Sequence, residues 1–332
     1  MPVALFRRIP PPATFASCSG CDICALACPV WQQTHDLRLT PKGRATALQG
    51  GASAADLVES IAACTMCGSC VPACPEEIDL LAMTLSLRAA LAAAGNSPLV
   101  SLAARYLVPP RVTSRLPVHL KTVLLAEERL LADPALLSAA TLRLGGPAHV
   151  VVAADSGRDI ATALEAGLSP PPGRLEEFLA GLRGAMRVVT TEGFLNPLLK
   201  KWLPGLPVRS LGEACLALAG IRRALRPTDF YVIEARAYHA DRERLVLLYD
   251  ALRHETGCDI NLDLQRLAVP TVATSLNARF GSGPVRIAEQ VKWILEGRHP
   301  KRIVVENLED GEAIRRENDV EVAHVAAIAA RD

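Results

Sequence analysis

Apolar residues recur at helical spacing through the first third of the chain. In Asp56-Leu-Val-Glu-Ser-Ile-Ala-Ala, Leu57, Val58 and Ile61 share one helical face, and Asp56 is placed to be the N-cap. Leu80, Met83, Leu87 and Leu91 repeat the spacing and predict a helix over 78–94, with Gly95 as its C′ residue. Two more helices are predicted, over 99–107, stopped by Pro109-Pro110, and over 118–132, stopped before Asp133-Pro134. The pattern changes at Gly145-Gly146-Pro147. From Ala148 onward, short β-branched runs alternate with helical patterns: Val150-Val151-Val152, Val188-Val189-Thr190, Phe230-Tyr231-Val232-Ile233 and Ile303-Val304-Val305. The expected architecture is multi-domain: an α-helical N-terminal domain over 1–110, a helical linker over 111–147 and an α/β domain over 148–332. Within the last, Arg187-Val-Val-Thr followed by Leu206-Pro-Val-Arg-Ser-Leu is echoed by Arg302-Ile-Val-Val followed by Val320-Glu-Val-Ala-His-Val, so two weakly repeated halves are expected.

The helical region carries the chemistry. Eight of the ten cysteines fall into two copies of one pattern, Cys18-x-x-Cys21-x-x-Cys24-x-x-x-Cys28-Pro29 and Cys64-x-x-Cys67-x-x-Cys70-x-x-x-Cys74-Pro75. Three thiolates two residues apart can wrap a cube face in one tight turn, and the fourth, followed by proline, starts a new direction. This is the signature of two [4Fe-4S] clusters. Structural zinc sites usually pair two Cys-x-x-Cys knuckles across a long gap, without a third and fourth cysteine and a proline in the same run. A disulfide framework suits a small secreted domain and not 332 residues with cysteines confined to two short runs.

Composition narrows the partners. Lys plus Arg number 36 against 35 Asp plus Glu, and aromatics are 4%, so neither nucleic acid nor an anionic membrane is called for. Arg7-Arg8 might have opened a twin-arginine signal, but prolines follow it in place of an apolar run. The apolar stretches 80–94 and 118–132 carry Arg88, or Lys121, Glu127, Glu128 and Arg129, and fall short of the ~20 apolar residues of a membrane span. The protein is expected in the cytoplasm, or at a membrane only through a partner.

The first 110 residues resemble the helical two-cluster ferredoxin module of heterodisulfide reductase C subunits and of the iron-sulfur subunits of glycolate, lactate and anaerobic glycerol-3-phosphate dehydrogenases. The likeness is carried by Cys28-Pro-Val-Trp31, Thr40-Pro-Lys-Gly-Arg44 and Ala63-Cys-Thr-Met-Cys-Gly-Ser-Cys-Val-Pro-Ala-Cys-Pro75 with Ile78-Asp79. In bacterial two-cluster ferredoxins the fourth cysteine of each run ligates the other cluster. Carried over, this implies Cys18, Cys21, Cys24 and Cys74 around one cube, and Cys64, Cys67, Cys70 and Cys28 around the second. The rest of the chain is similar, more faintly, to the cysteine-rich CCG domain that follows this module in those families. Residues 234–257 stand where the family has His-Asp-Pro-Cys, 272–281 where it has Cys-Cys-Gly, and 305–311 where it has Cys-Pro-x-x-Cys. None of those positions is cysteine here. Cys215 and Cys258 alone remain after residue 74 and are expected to be small buried apolar residues, so a third cluster and disulfide chemistry on this chain are not expected.

Other motifs are weak. The seven histidines form no His-x-x-x-His or His-Glu-x-x-His pair, and His239 stands out only by lying in the stretch matching a lost ligand run. Gly281-Ser-Gly283-Pro284 lacks the third glycine of a dinucleotide fingerprint and no Gly-Lys-Ser/Thr loop occurs, so no flavin or nucleotide is expected on this chain. Lys42, Arg44 and Arg88 flank the cysteine motifs. They are expected on a solvated face, with tuning of a cube's potential as the functional alternative. The reading that results is an iron-sulfur electron-transfer subunit of a heterodisulfide reductase-like complex. Its active site would lie on a partner, a flavoprotein or a CCG-domain subunit. The alternatives are the iron-sulfur subunit of a flavin-dependent 2-hydroxy-acid or polyol dehydrogenase feeding quinone, and a free ferredoxin.

Overall fold

The computed structural model describes residues 13–107 and 119–329. The Arg7-Arg8 pair, the Pro109-Pro110 stop and residue 118 lie outside them. The N-terminal module is helical: α1 (Ile23–Leu26), α2 (Pro29–Thr34), α3 (Pro41–Gln49), α4 (Val58–Ala63), α5 (Cys70–Ala73), α6 (Leu80–Ala93) and α7 (Pro98–Ala103). Proline at the first position, where no amide partner is needed, opens α2 and α3, and the Thr40 side chain accepts the Gly43 N–H to cap α3. Asp79 caps α6 by accepting the Ala82 N–H at 2.8 Å. Helix α6 ends in a Schellman motif, in which Gly95 at φ 73° donates to the Ala92 carbonyl and Asn96 to that of Leu91. Asp56 is not the N-cap of α4. It closes a capping box with Ser53 around a single 3-10 turn, Ala54–Leu57, from which α4 continues.

The remaining chain builds two four-stranded parallel sheets. The first contains β1 (Thr122–Leu125), β2 (Val150–Val152), β3 (Arg187–Thr190) and β4 (Val208–Ser210) in the order β2-β1-β3-β4. The second contains β5 (Asp229–Val232), β6 (Asp259–Ile260), β7 (Arg302–Val305) and β8 (Glu321–His324) in the order β6-β5-β7-β8. The strand order is the same in both. Every residue of β1 and β5 is buried, as expected for parallel strands covered on both faces.

The segment 118–132 is therefore not one helix. Its Val-Leu-Leu-Ala run supplies three of the four residues of β1, the strand between β2 and β3, and only Glu128–Leu131 is helical. A four-residue apolar run has no polar position to reveal its period, so a buried strand and a buried helix turn look alike in sequence. The segment expected to be a linker is thus part of the sheet. Leu124 of β1 and Leu136 and Ala140 of helix Pro134–Arg143 share one core with Val189, Tyr231 and Val304, which ties the two sheets together. A second core takes in Val123, Leu125, Phe194 and Leu195, and Met66 from the cysteine-rich module inserts into it, 1% exposed. Among the described residues, no helix is long and apolar enough to cross a membrane.

Candidate iron-sulfur sites

Each Cys-x-x-Cys-x-x-Cys run is a loop leading into a short helix, α1 or α5. Both loops bend through the left-handed region at the same two places: Gly20 (φ 78°) and Asp22 (φ 64°) in the first, Met66 (φ 55°) and Gly68 (φ 82°) in the second. Left-handed backbone costs a residue with a side chain about 1–2 kcal/mol. In the second loop, burial of the Met66 side chain in the core, worth about 1.5–3 kcal/mol, offsets that cost. Gly68 is required for a second reason. A Cβ there would lie 3.2 Å from the Cβ of His239. After each run, the proline that follows Cys28 and Cys74 holds the cysteine extended, at ψ 119° and 114°, and so turns the chain away from its own loop.

That turn brings the fourth cysteine to the other motif. Cys18, Cys21, Cys24 and Cys74 line one small cavity, together with Asp22, Lys42, Ile78 and Leu80. Cys28, Cys64, Cys67 and Cys70 line a second, with Leu39, Arg44, Leu80, Leu81 and Thr84. Leu80, the first residue of α6, forms part of both walls. Of the Leu and Met stripe along this helix, Leu80 at its start lines the cavities, while Leu87 and Leu91 pack on Ile61 further along. Among the described residues no three His, Cys, Asp or Glu side chains converge on a point as a single metal ion requires. The four thiols of each set stand around a cavity instead. The donor set fits a [4Fe-4S] cube, which takes four thiolates and no other protein ligand.

Burial raises the proton affinity of the inner thiols. It pushes Cys24 up to about 11, helped by Cys74, Cys18 and Cys21, and Cys28 up to about 12, helped by Cys67 and Cys64. Cys70 is raised as well, first by burial and then by Cys67, Cys64 and Cys28. In each case the thiols that act are the members of the same crossed set, and Arg44 opposes the shift at Cys28 and Cys70. A metal that binds here must displace these protons. Cys21 is exposed, so the first cavity opens toward solvent, whereas Cys28 and Cys70 are both buried.

The second loop is gripped from outside, which its sequence did not reveal. Asn277 Nδ2 donates to the Ala62 carbonyl at 2.6 Å and Arg88 to that of Cys64 at 2.6 Å. Arg236 donates to the carbonyl of Thr65 at 3.2 Å. His239 Nε2 accepts the Ala268 N–H, so its Nδ1 carries the proton and donates to the Cys67 carbonyl at 2.9 Å. Burial holds His239 neutral, with its pKa down at about 4. Three of these four residues come from the α/β region. The only signal available in sequence was the position of His239 in the stretch matching a lost ligand run. Among the described residues the first loop has one comparable side-chain anchor on its carbonyls, Gln49, which donates to those of Ala16 and Cys18.

Arg44 and Arg88 are not on a solvated face. Each is 1% exposed, which corrects the expectation from their spacing. Lys42 is partly buried and pairs with Asp22 at 3.3 Å beside the first cavity. The three stretches that the resemblance sets against CCG ligand runs each contribute to a small cavity behind the second loop, lined by Arg236, Val272 and Asp310 together with Thr271, Thr65 and Cys67. Cys215 and Cys258 lie elsewhere, both 0% exposed in the core between the sheets, and burial raises Cys215 to about 12.

Comparison with curated proteins and with solved structures finds no match. A protein-family model, the 4Fe-4S dicluster domain, matches residues 14–78, the segment that contains all eight motif cysteines. Residues 14–78 therefore form a ferredoxin-type module that binds 4Fe-4S iron-sulfur centres for electron transfer.

Proposed function

We propose that this chain is the electron-transfer iron-sulfur subunit of a multi-subunit oxidoreductase of the heterodisulfide reductase type, and relays single electrons through two [4Fe-4S] clusters. The observation that carries the reading is the crossing of the cysteine sets: Cys74 joins Cys18, Cys21 and Cys24, and Cys28 joins Cys64, Cys67 and Cys70. A bound cube supplies one-electron redox chemistry at a potential that its surroundings set within roughly −700 to +450 mV. The chain's own contribution is thiolate ligation, exclusion of water by Ile78, Leu80 and Leu81, and a shared wall at Leu80 that keeps the two sites adjacent.

The exposed Cys21 marks the side on which the first site would meet a redox partner. The two α/β halves, read as degenerate repeats of a CCG domain, serve as a scaffold that fixes the second site. Two-electron chemistry then falls to partner subunits in the cytoplasm, a flavoprotein or an intact CCG-domain protein. Anaerobically prepared protein is expected to contain about eight irons and eight acid-labile sulfides per chain, as two cubes of four. Cys28→Ala is expected to remove the EPR signal that Cys67→Ala also removes, and Cys74→Ala the one lost in Cys21→Ala. Stoichiometric zinc, or four irons in folded protein, would refute the two-cluster reading.

A further inference from the structure

Among the described residues neither Arg44 nor Arg88, both buried, forms an ion pair with a carboxylate; that of Glu165 acts on Arg88 but is paired with Arg236. Arg44 Nη1 donates to the carbonyls of Leu39 and Ser60 and to the Ser60 hydroxyl. Arg88 donates to the carbonyls of Glu165, Ile61 and Cys64. The Nε of each is buried with no acceptor. The contrast with Arg236, Arg279 and Arg174 is sharp, because those buried guanidiniums all have carboxylates within 2.9 Å.

An unpaired buried ion costs several kcal/mol. Arginine cannot escape by losing its proton. Neutral carbonyls satisfy donors and leave the charge, and the C-terminal end of helix Arg158–Ala166, which presents the Glu165 carbonyl to Arg88, returns only about 0.3–2 kcal/mol. The two guanidiniums also repel each other, and burial holds that of Arg88 below its ordinary pKa. Such a pair is stable only around an anion. Arg44 lines the cavity of Cys28, Cys64, Cys67 and Cys70, Arg88 is joined to its wall through the Cys64 carbonyl, and a cube with four thiolates is negative and gains one more negative charge on reduction.

We propose that Arg44 and Arg88 are the counterions of the cluster held by Cys28, Cys64, Cys67 and Cys70, and that their charge sets its reduction potential above that of the neighbouring cluster. The proposal rests on the two-cluster reading. Its sign follows from electrostatics: cations favour the more negative, reduced form. Among the described residues the first cavity has no equivalent, since Lys42 is paired with Asp22 and Glu76 also lines the wall. A single electron delivered to the chain would then rest on the second cluster, the one buried against the α/β region.

The test is an EPR-monitored redox titration of the anaerobic full-length protein, with signals assigned through the cysteine variants. Arg44→Gln and Arg88→Gln are each expected to weaken reduction of the second cluster at least tenfold, about 59 mV for one electron, and to leave the first unmoved. Arg44→Lys and Arg88→Lys, which keep the charge, are expected to stay near the wild-type value. Where a Gln variant cannot retain the second cluster, iron content decides: a Lys variant with all its iron supports the counterion role, and loss in both variants overturns it. Unmoved potentials, equal shifts in Lys and Gln variants, or equal shifts in both clusters overturn it too. Wild-type protein with only four irons overturns both this proposal and the two-cluster reading, whereas eight irons with unmoved potentials overturns this proposal alone.

Discussion

Asp310 stands in a stretch where the resemblance would place a ligand cysteine run, and it has become a buried acid. Its carboxylate accepts the Thr271 hydroxyl, and burial raises its pKa to about 7. A carboxyl whose pKa is higher folded than unfolded supports the fold fully at a pH below its ordinary value, near 4, and withdraws that support as pH rises through about 7. Asp310→Asn keeps the shape and removes the titration. The variant is expected to gain thermal stability relative to wild type between pH 5 and pH 8, by a few kcal/mol at most; a difference independent of pH would refute this. At the scale of single residues, the cysteines were legible because thiol chemistry and spacing are local. Asn277, Arg236 and the burial of Arg88 were not, because an amide or guanidinium acquires its partner only when distant segments meet.

Among the elements, β1 is the instructive one. It pairs with β2 on one side and β3 on the other, and Leu124 joins the core between the sheets. A chain that begins at residue 148 therefore lacks an interior strand of the first sheet. Such a fragment is expected to show no cooperative thermal transition by circular dichroism, while one beginning at residue 119 retains it. A sharp transition in the shorter fragment would show that β2 and β3 can pair without β1. β3, β5 and β7, of the same length as β1, were readable from their β-branched and aromatic content. β1 was not, because its Leu-Leu pair, continued by Ala126 and flanked by polar positions, also suits a helix. The ends of the elements carry a related surprise. Glu127, Glu192, Glu234 and Glu306 follow β1, β3, β5 and β7, and burial lifts Glu127 and Glu234 to about 8. Gly193 and Gly212 leave the space that the carboxylates of Glu234 and Glu306 occupy.

For the whole molecule, the two cluster sites differ in their attachment. The second is clamped to the α/β region through Met66, Arg236, His239 and Asn277, whereas among the described residues the first has an exposed cysteine and is held by Gln49 and the Lys42–Asp22 pair from its own module. Iron release to a chelator, followed by visible absorbance and EPR, is expected to proceed in two phases of equal amplitude. The signal dependent on Cys21 should disappear first and the one dependent on Cys67 second. Loss of both in a single phase, or in the reverse order, would show that the grip of the α/β region does not protect the second site.

The sequence by itself determined the cluster chemistry, the helical character of the module and the α/β class of the remainder, because each rests on residues within one or two turns of one another. It also supplied the crossed cysteine sets, though only through a resemblance. Only the packing of distant segments placed β1 inside a sheet, buried Arg44 at the wall of one cavity and Arg88 against the Cys64 carbonyl, and let the α/β region hold one motif and not the other. Those features depend on burial and on donors and acceptors up to 215 residues apart, and no local pattern of side chains encodes such a distance.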